Sequence, residues 1–97
     1  PFARIMKCKL IVEVSFERGL KSLPPDRARA VAKSLVLFVD NPDLPRFHYR
    51  PLKGMPPYFI INVKHGDRII LRKDDDATYA AVDVGPHDNI YRRWNRL

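Results

Sequence analysis

The chain has 97 residues, 45% of them hydrophobic, which is the size and composition of one compact domain spanning 1–97 with a modest core and excludes a disordered chain. Lysine and arginine number 18 against 11 acidic residues, a formal net charge of +7. On so small a surface this exceeds what solubility needs and points to polyanionic partners: nucleic acid, an anionic membrane or an acidic protein segment. No apolar run approaches the ~18 residues of a membrane span, and the opening residues lack the cleavage site of a secretory signal. The single cysteine, Cys8, excludes an internal disulfide and a multi-cysteine metal site, in keeping with a reducing cytoplasm.

From Lys7 the residues alternate. Cys8, Leu10, Val12 and Val14 point one way and Lys7, Lys9 and Glu13 the other, the period of a half-buried first strand. Cys8 on the apolar side reads as a small buried hydrophobe. Ser15 can cap a short helix carrying Phe16, Leu20 and Leu23, ended by Pro24-Pro25. The same prolines, with Asp26, suit the start of a second helix. Its stripe is Ala28, Val31, Ala32, Leu35, Phe38 and Val39, with Arg27, Arg29 and Lys33 facing water, and Asn41-Pro42 stops it. Two such stripes after a strand need a sheet to cover. Residues 42–57 read as a proline-rich connector lying on the surface, carrying Arg46, His48, Arg50 and Lys53.

Three strands follow. Phe59, Ile61 and Val63 alternate with Tyr58, Ile60 and Asn62; Lys64-His65-Gly66-Asp67 is a hairpin turn; Ile69 and Leu71 alternate with Arg68, Ile70 and Arg72. Asp74-Asp75-Asp76 makes a second turn, read as a solvated acidic loop. Ala80, Val82 and Val84 alternate with Tyr79, Ala81 and Asp83, and Gly85-Pro86 breaks the strand. The expected inner face is thus Phe59, Ile61, Val63, Ile69, Leu71, Ala80, Val82 and Val84, and the opposite face carries Asn62, Arg68, Arg72, Tyr79 and Asp83. Keeping face with face pairs Arg68 with Asp83, or with Ala81 if the register moves by two. The class expected is α+β: a small antiparallel sheet packed against an N-terminal αα-hairpin, in the order β-α-α-β-β-β, with a short C-terminal helix.

The last strand hands the chain to Gly85-Pro86-His87-Asp88-Asn89-Ile90-Tyr91. With Asp88 capping a final helical turn, His87 and Tyr91 share a face while Ile90 and Trp94 form an i,i+4 apolar anchor. Arg68, His87 and Tyr91 then converge at one end of the sheet. Asn62 and Lys64 lie nearby, and Arg92, Arg93 and Arg96 add positive charge around the edge. The set suits metal-independent RNA cleavage by internal transfer, which needs a base, an acid and a fixed cation for the charge building on phosphate. Arg68 can fork onto phosphate, an imidazole such as His87 exchanges protons near neutral pH, and Tyr91 can position the attacking hydroxyl, share in proton transfer or stack on a base. Each residue also has a scaffold reading: Arg68 as a cross-strand ion pair with Asp83, His87 as a turn residue, Tyr91 as a core aromatic.

The arrangement resembles the RelE/ParE superfamily of type II toxin–antitoxin toxins over nearly the whole chain. The strand–αα-hairpin opening, the Asn41-Pro42 stop, Leu52-Lys53-Gly54, Gly66-Asp67-Arg68-Ile69-Ile70, and Val84-Gly85-Pro86-His87-Asp88 with Tyr91 carry the likeness in order and spacing. The resemblance implies a toxin acting as a ribosome-dependent mRNA endoribonuclease, with Arg68, His87 and Tyr91 catalytic and Lys53, Asn62, Lys64, Arg72 and Arg93 contacting RNA. It implies a cognate antitoxin and ribosome-bound mRNA as partners, with no metal, no small-molecule cofactor and no membrane. The chain departs from the pattern in two places: Ile60 and Asn62 stand where RelE-like nucleases often place lysines or a glutamate, and Asp67 replaces the aromatic that usually precedes the arginine. The alternatives are a non-catalytic ParE-like inhibitor of DNA gyrase and a nucleic-acid-binding accessory domain.

Overall fold

Two apolar clusters, one on each face of a five-stranded sheet, organise residues 8–94, the part of the chain that the computed structural model describes. The elements are β1 (Lys9–Val12), α1 (Val14–Lys21), α2 (Pro25–Asp40), a 3-10 turn (Pro45–Phe47), β2 (Arg50–Pro51), β3 (Tyr58–Asn62), a second 3-10 turn (Lys64–Gly66), β4 (Asp67–Asp75), β5 (Thr78–Pro86) and α3 (His87–Trp94). The expected strand start at Lys7 and the edge residue Arg96 lie outside the described residues. The sheet order is β1-β5-β4-β3-β2. The α+β class is as expected, with one refinement: β1 runs parallel to β5, while the other pairs are antiparallel. The intervening αα-hairpin allows this, because it returns the chain across one face before β2 begins.

That face holds the larger cluster. Phe16 of α1 and Val31, Leu35, Phe38 and Val39 of α2 pack on Ile61, Val63, Ile69, Leu71, Tyr79, Ala81 and Val84. The second cluster is Leu52, Ile60, Ile70, Ala80, Val82 and Ile90, with Tyr91 and Trp94 packed against it. Both faces are therefore covered, the second by α3.

Ala80 and Val82 thus lie opposite to the face expected for them, and Tyr79 joins the helix-side core instead of the outer face. The cause is a bulge. Ile70 pairs with Asp83 but Leu71 with Ala81, so Val82 is an extra residue on β5, and one extra residue inverts the alternation beyond it. The observed register also sets Arg68 opposite Gly85, where Asp83 or Ala81 was expected, and Gly85-Pro86 continues the strand instead of breaking it.

Three local readings also change. Glu13, not Ser15, precedes α1, and the Ser15 hydroxyl donates instead to the Val82 carbonyl on β5. His87 opens α3, so Asp88 lies within its first turn. The proline-rich connector is not confined to the surface: its 3-10 turn drives Phe47 inside, edge-on to Phe38 with ring centroids 5.7 Å apart, while Tyr49 stacks on Phe38 and Phe59. Burying two aromatic rings outweighs the polar, proline-rich composition of the segment around them.

Candidate active site

Alternation places Asn62 on the face of Ile60, and Arg68 on the face of Ile70, which is the α3 side of the sheet. Asn62, Arg68 and Gly85 stand abreast across β3, β4 and β5 as successive strand partners. Two residues after Gly85 the chain enters α3, which Ile90, fully buried, clamps to the sheet. Trp94 reinforces the clamp: its indole N–H donates to Asp83 Oδ2 at 2.7 Å.

With the helix held this way, His87 and Tyr91, one turn apart, face each other with ring centroids 4.5 Å apart. His87 is half-exposed and its Nδ1 lies 3.1 Å from Asp88 Oδ1, a carboxylate able to fix the tautomer of the ring. The Tyr91 hydroxyl accepts a hydrogen bond at 3.1 Å from Nη2 of Arg50, and Nη1 of the same guanidinium donates to Asn62 Oδ1 at 3.1 Å. A continuous set of contacts therefore runs from His87 through Tyr91 and Arg50 to Asn62, the strand partner of Arg68.

Arg68 itself is held from behind. Its Nη1 donates to the carbonyl of Asp67 at 3.0 Å, and its buried Nε has no acceptor among the described residues. Asp67, 0% exposed, receives the Arg27 guanidinium of α2 on both oxygens. The bond and the charge on Asp67 hold the Arg27 pKa above its ordinary value. The aspartate that departs from the usual aromatic is thus an anchor between α2 and the head of β4.

The remaining expected contacts are dispersed. Lys64 leaves the sheet for a groove of about 690 Å³ between α2 and the β3–β4 turn, where Arg29, Lys33, Arg46 and Lys64 gather with Asp26 the acid among them. Asn62 lines one end of this groove and so joins it to the cluster around Arg68. Lys53 lies in the turn between β2 and β3, at the other end of β3 from Asn62. Arg72 is four residues along β4 from Arg68, roughly 13 Å away at strand spacing, and is bridged to Asp74 and Glu13. Both carboxylates raise its pKa, Asp74 more strongly. Arg93 forks onto Asp83 at 2.9 and 3.0 Å. Asp83 therefore pairs with α3 and leaves Arg68 without the cross-strand partner that its scaffold reading required.

Arg50 escaped the sequence reading. Its place in the connector concealed that Arg50-Pro51 forms the outermost strand, opposite Ile60-Phe59, where a proline without an N–H is tolerated at an edge.

A five-stranded sheet with an αα-hairpin on one face and a short C-terminal helix on the other is a fold shared with solved RelE toxins. A variant of the E. coli toxin RelE in the free state superposes with a TM-score of 0.68 over 94% of this chain and 97% of that one, at 18% identity. The RelB–RelE antitoxin–toxin complex from Methanococcus jannaschii gives 0.68 over 84% of this chain and 94% of that one at 19% identity, and the intact E. coli RelBE complex gives 0.63 over 81% and 95% at 20%. No family model and no curated protein matches the sequence. Among the described residues no helix is long and apolar enough to cross a membrane.

Proposed function

We propose that this protein is the toxin of a RelBE-type toxin–antitoxin pair and acts as a metal-independent endoribonuclease on mRNA held by the ribosome. The observation that carries the reading is the contact of His87 with Tyr91 at 4.5 Å, joined through Arg50 and Asn62 to the strand that bears Arg68. In the reaction the ribose 2′-oxygen bonds to the adjacent phosphorus and the P–O5′ bond breaks, leaving a 2′,3′-cyclic phosphate and a free 5′-hydroxyl. The 2′-hydroxyl proton passes to a base and an acid protonates the departing O5′. Arg68, a permanent cation whose cross-strand carboxylate candidate Asp83 is taken by Arg93, is suited to the phosphate oxygens. His87, exposed beside Asp88, is suited to proton transfer. Tyr91 is placed to orient the attacking hydroxyl or to stack on a base. The groove bearing Arg29, Lys33, Arg46 and Lys64 offers a path for the sugar–phosphate backbone.

The partners that follow are ribosome-bound message and a cognate antitoxin, the latter because several structures sharing this fold were solved as complexes with RelB. The test is cleavage of a defined message on translating ribosomes, read at nucleotide resolution. Arg68→Ala and His87→Ala should each lower the rate by about 100-fold or more while melting as the parent does. Parental rates in both variants would sink the ribonuclease reading. A gyrase-directed protein would instead inhibit supercoiling with His87 dispensable, and an accessory domain would bind nucleic acid without arresting growth.

A further inference from the structure

Internal transfer builds negative charge on two phosphate oxygens, and the Arg68–His87–Tyr91 set contains one permanent cation. We infer that Arg50 is a positioning residue for this reaction: it holds the Tyr91 hydroxyl and the Asn62 amide in the register that the scissile nucleotide requires. The inference rests on the ribonuclease reading above.

The placement of Arg50 begins in the backbone. His48 adopts the left-handed conformation (φ 45°, ψ 49°), costly for a residue with a Cβ, and its carbonyl accepts a hydrogen bond from Arg50 Nη1 at 2.6 Å. Pairing with Ile60 in the antiparallel ladder then puts Arg50 on the α3 face, with Asn62 as its diagonal neighbour. The guanidinium thus meets three acceptors from three segments: the His48 carbonyl, Asn62 Oδ1 on β3 and Tyr91 Oη on α3. None of them is a carboxylate. Arg27, Arg72 and Arg93, by contrast, each have a carboxylate partner. Arg50 keeps its full charge beside the phenol, and because it donates to Tyr91 Oη, the phenolic proton is directed elsewhere, toward the open side of the site. A planar fork bridging an amide and a phenol also resists rotation of either, so the diagonal from Asn62 to Tyr91 becomes one rigid edge. The β3 side chains beneath it, Ile60 and Asn62, supply no charge of their own.

The test is a double-variant cycle. Arg50→Ala and Tyr91→Phe should each reduce kcat for message cleavage, Arg50→Ala by about 100-fold with KM within a factor of two or so, because a misplaced group loses rate rather than binding. The Arg50→Ala/Tyr91→Phe protein should be no slower than the slower single variant, since Arg50 acts through Tyr91. Guanidinium ion added at sub-denaturing concentration should restore part of the rate to Arg50→Ala and none to the double variant. If Arg50→Ala does not fold, Arg50→Lys is used in the same cycle. Independently of cleavage, the Cζ resonance of Tyr91 in tyrosine-labelled protein should move on Arg50→Ala or Arg50→Lys, while those of Tyr49 and Tyr79 stay in place. Losses that multiply, or a Tyr91 resonance that does not move, overturn the inference. If Arg68→Ala and His87→Ala lose cleavage while Arg50→Ala keeps it, only this inference falls; if none of the three loses it, the ribonuclease reading falls as well.

Discussion

Tyr49 and Tyr79 share a hydrogen bond of 3.0 Å in the helix-side core, and burial, seconded by that bond, pushes the Tyr49 phenol well above its ordinary range. The Tyr49 phenol therefore stays protonated and tied to Tyr79 inside the core. Tyr91 differs in its surroundings, not its chemistry: it is partly exposed, stands against an imidazole and accepts from a guanidinium. Cys8 belongs with the buried pair. It is 6% exposed, its thiol contacts the carbonyls of Phe38 and Val39, and desolvation raises its pKa. A folded-state value above the unfolded one, about 8.5, makes its contribution to stability fully present below that pH and lost as pH rises through the folded value. Alkylation of Cys8 by iodoacetamide at pH 8 should therefore proceed at the unfolding rate, orders of magnitude slower than for free cysteine. Rapid labelling of the folded protein would place the thiol outside the core.

Helix α1 depends on how closely it approaches β5. A Cβ added at Gly19 would meet the carbonyl oxygen of Val84 at 2.5 Å and its Cγ1 at 3.1 Å, and the Ser15 hydroxyl, one turn earlier, bonds to the same strand. Two effects oppose each other in Gly19→Ala. Helix propensity favours alanine by ~1 kcal/mol, whereas a clash with backbone costs about 1–3 kcal/mol because no rotamer change relieves it. The clash should win, lowering the melting temperature by several degrees in a scan of parent against variant; a rise would mean that α1 sits farther from the sheet. The strand-based readings survive at this scale wherever pairing is regular, as in β3 with β4 from Tyr58↔Arg72 to Asn62↔Arg68. They fail beyond the bulge at Val82, since no single residue type marks a bulge that lacks glycine. Helix α2 and the head of β4 meet through Arg27 and buried Asp67, so an arginine read as solvent-facing is an internal clamp directly behind Arg68.

For the whole molecule, the net charge of +7 is unevenly used. Arg27, Arg72 and Arg93 are bound to carboxylates, whereas Arg29, Lys33, Arg46 and Lys64 converge on one groove that Asn62 connects to the site. If single-stranded RNA follows that groove, each phosphate contact contributes roughly 0.7 to the slope of log affinity against log salt. The Arg29→Gln/Lys33→Gln/Lys64→Gln protein should therefore show a slope shallower by about 2 in anisotropy titrations of a labelled oligonucleotide. A slope equal to the parent's would remove the groove from the binding surface.

Periodicity and punctuation alone determined the order of the helices and the four longer strands, the buried Val31, Leu35, Phe38 and Val39 of α2, the alternation through β3 and β4, and the delivery of His87 and Tyr91 to one helix face. Those are local matters, set by spacings of two, three and four residues. Only the tertiary structure decided that Val82 bulges, that Arg68 faces Gly85, that Phe47 enters the core and that Arg50 reaches Tyr91. Each of these joins segments at least nine residues apart, where side-chain pairing and burial outweigh any preference the chain carries locally.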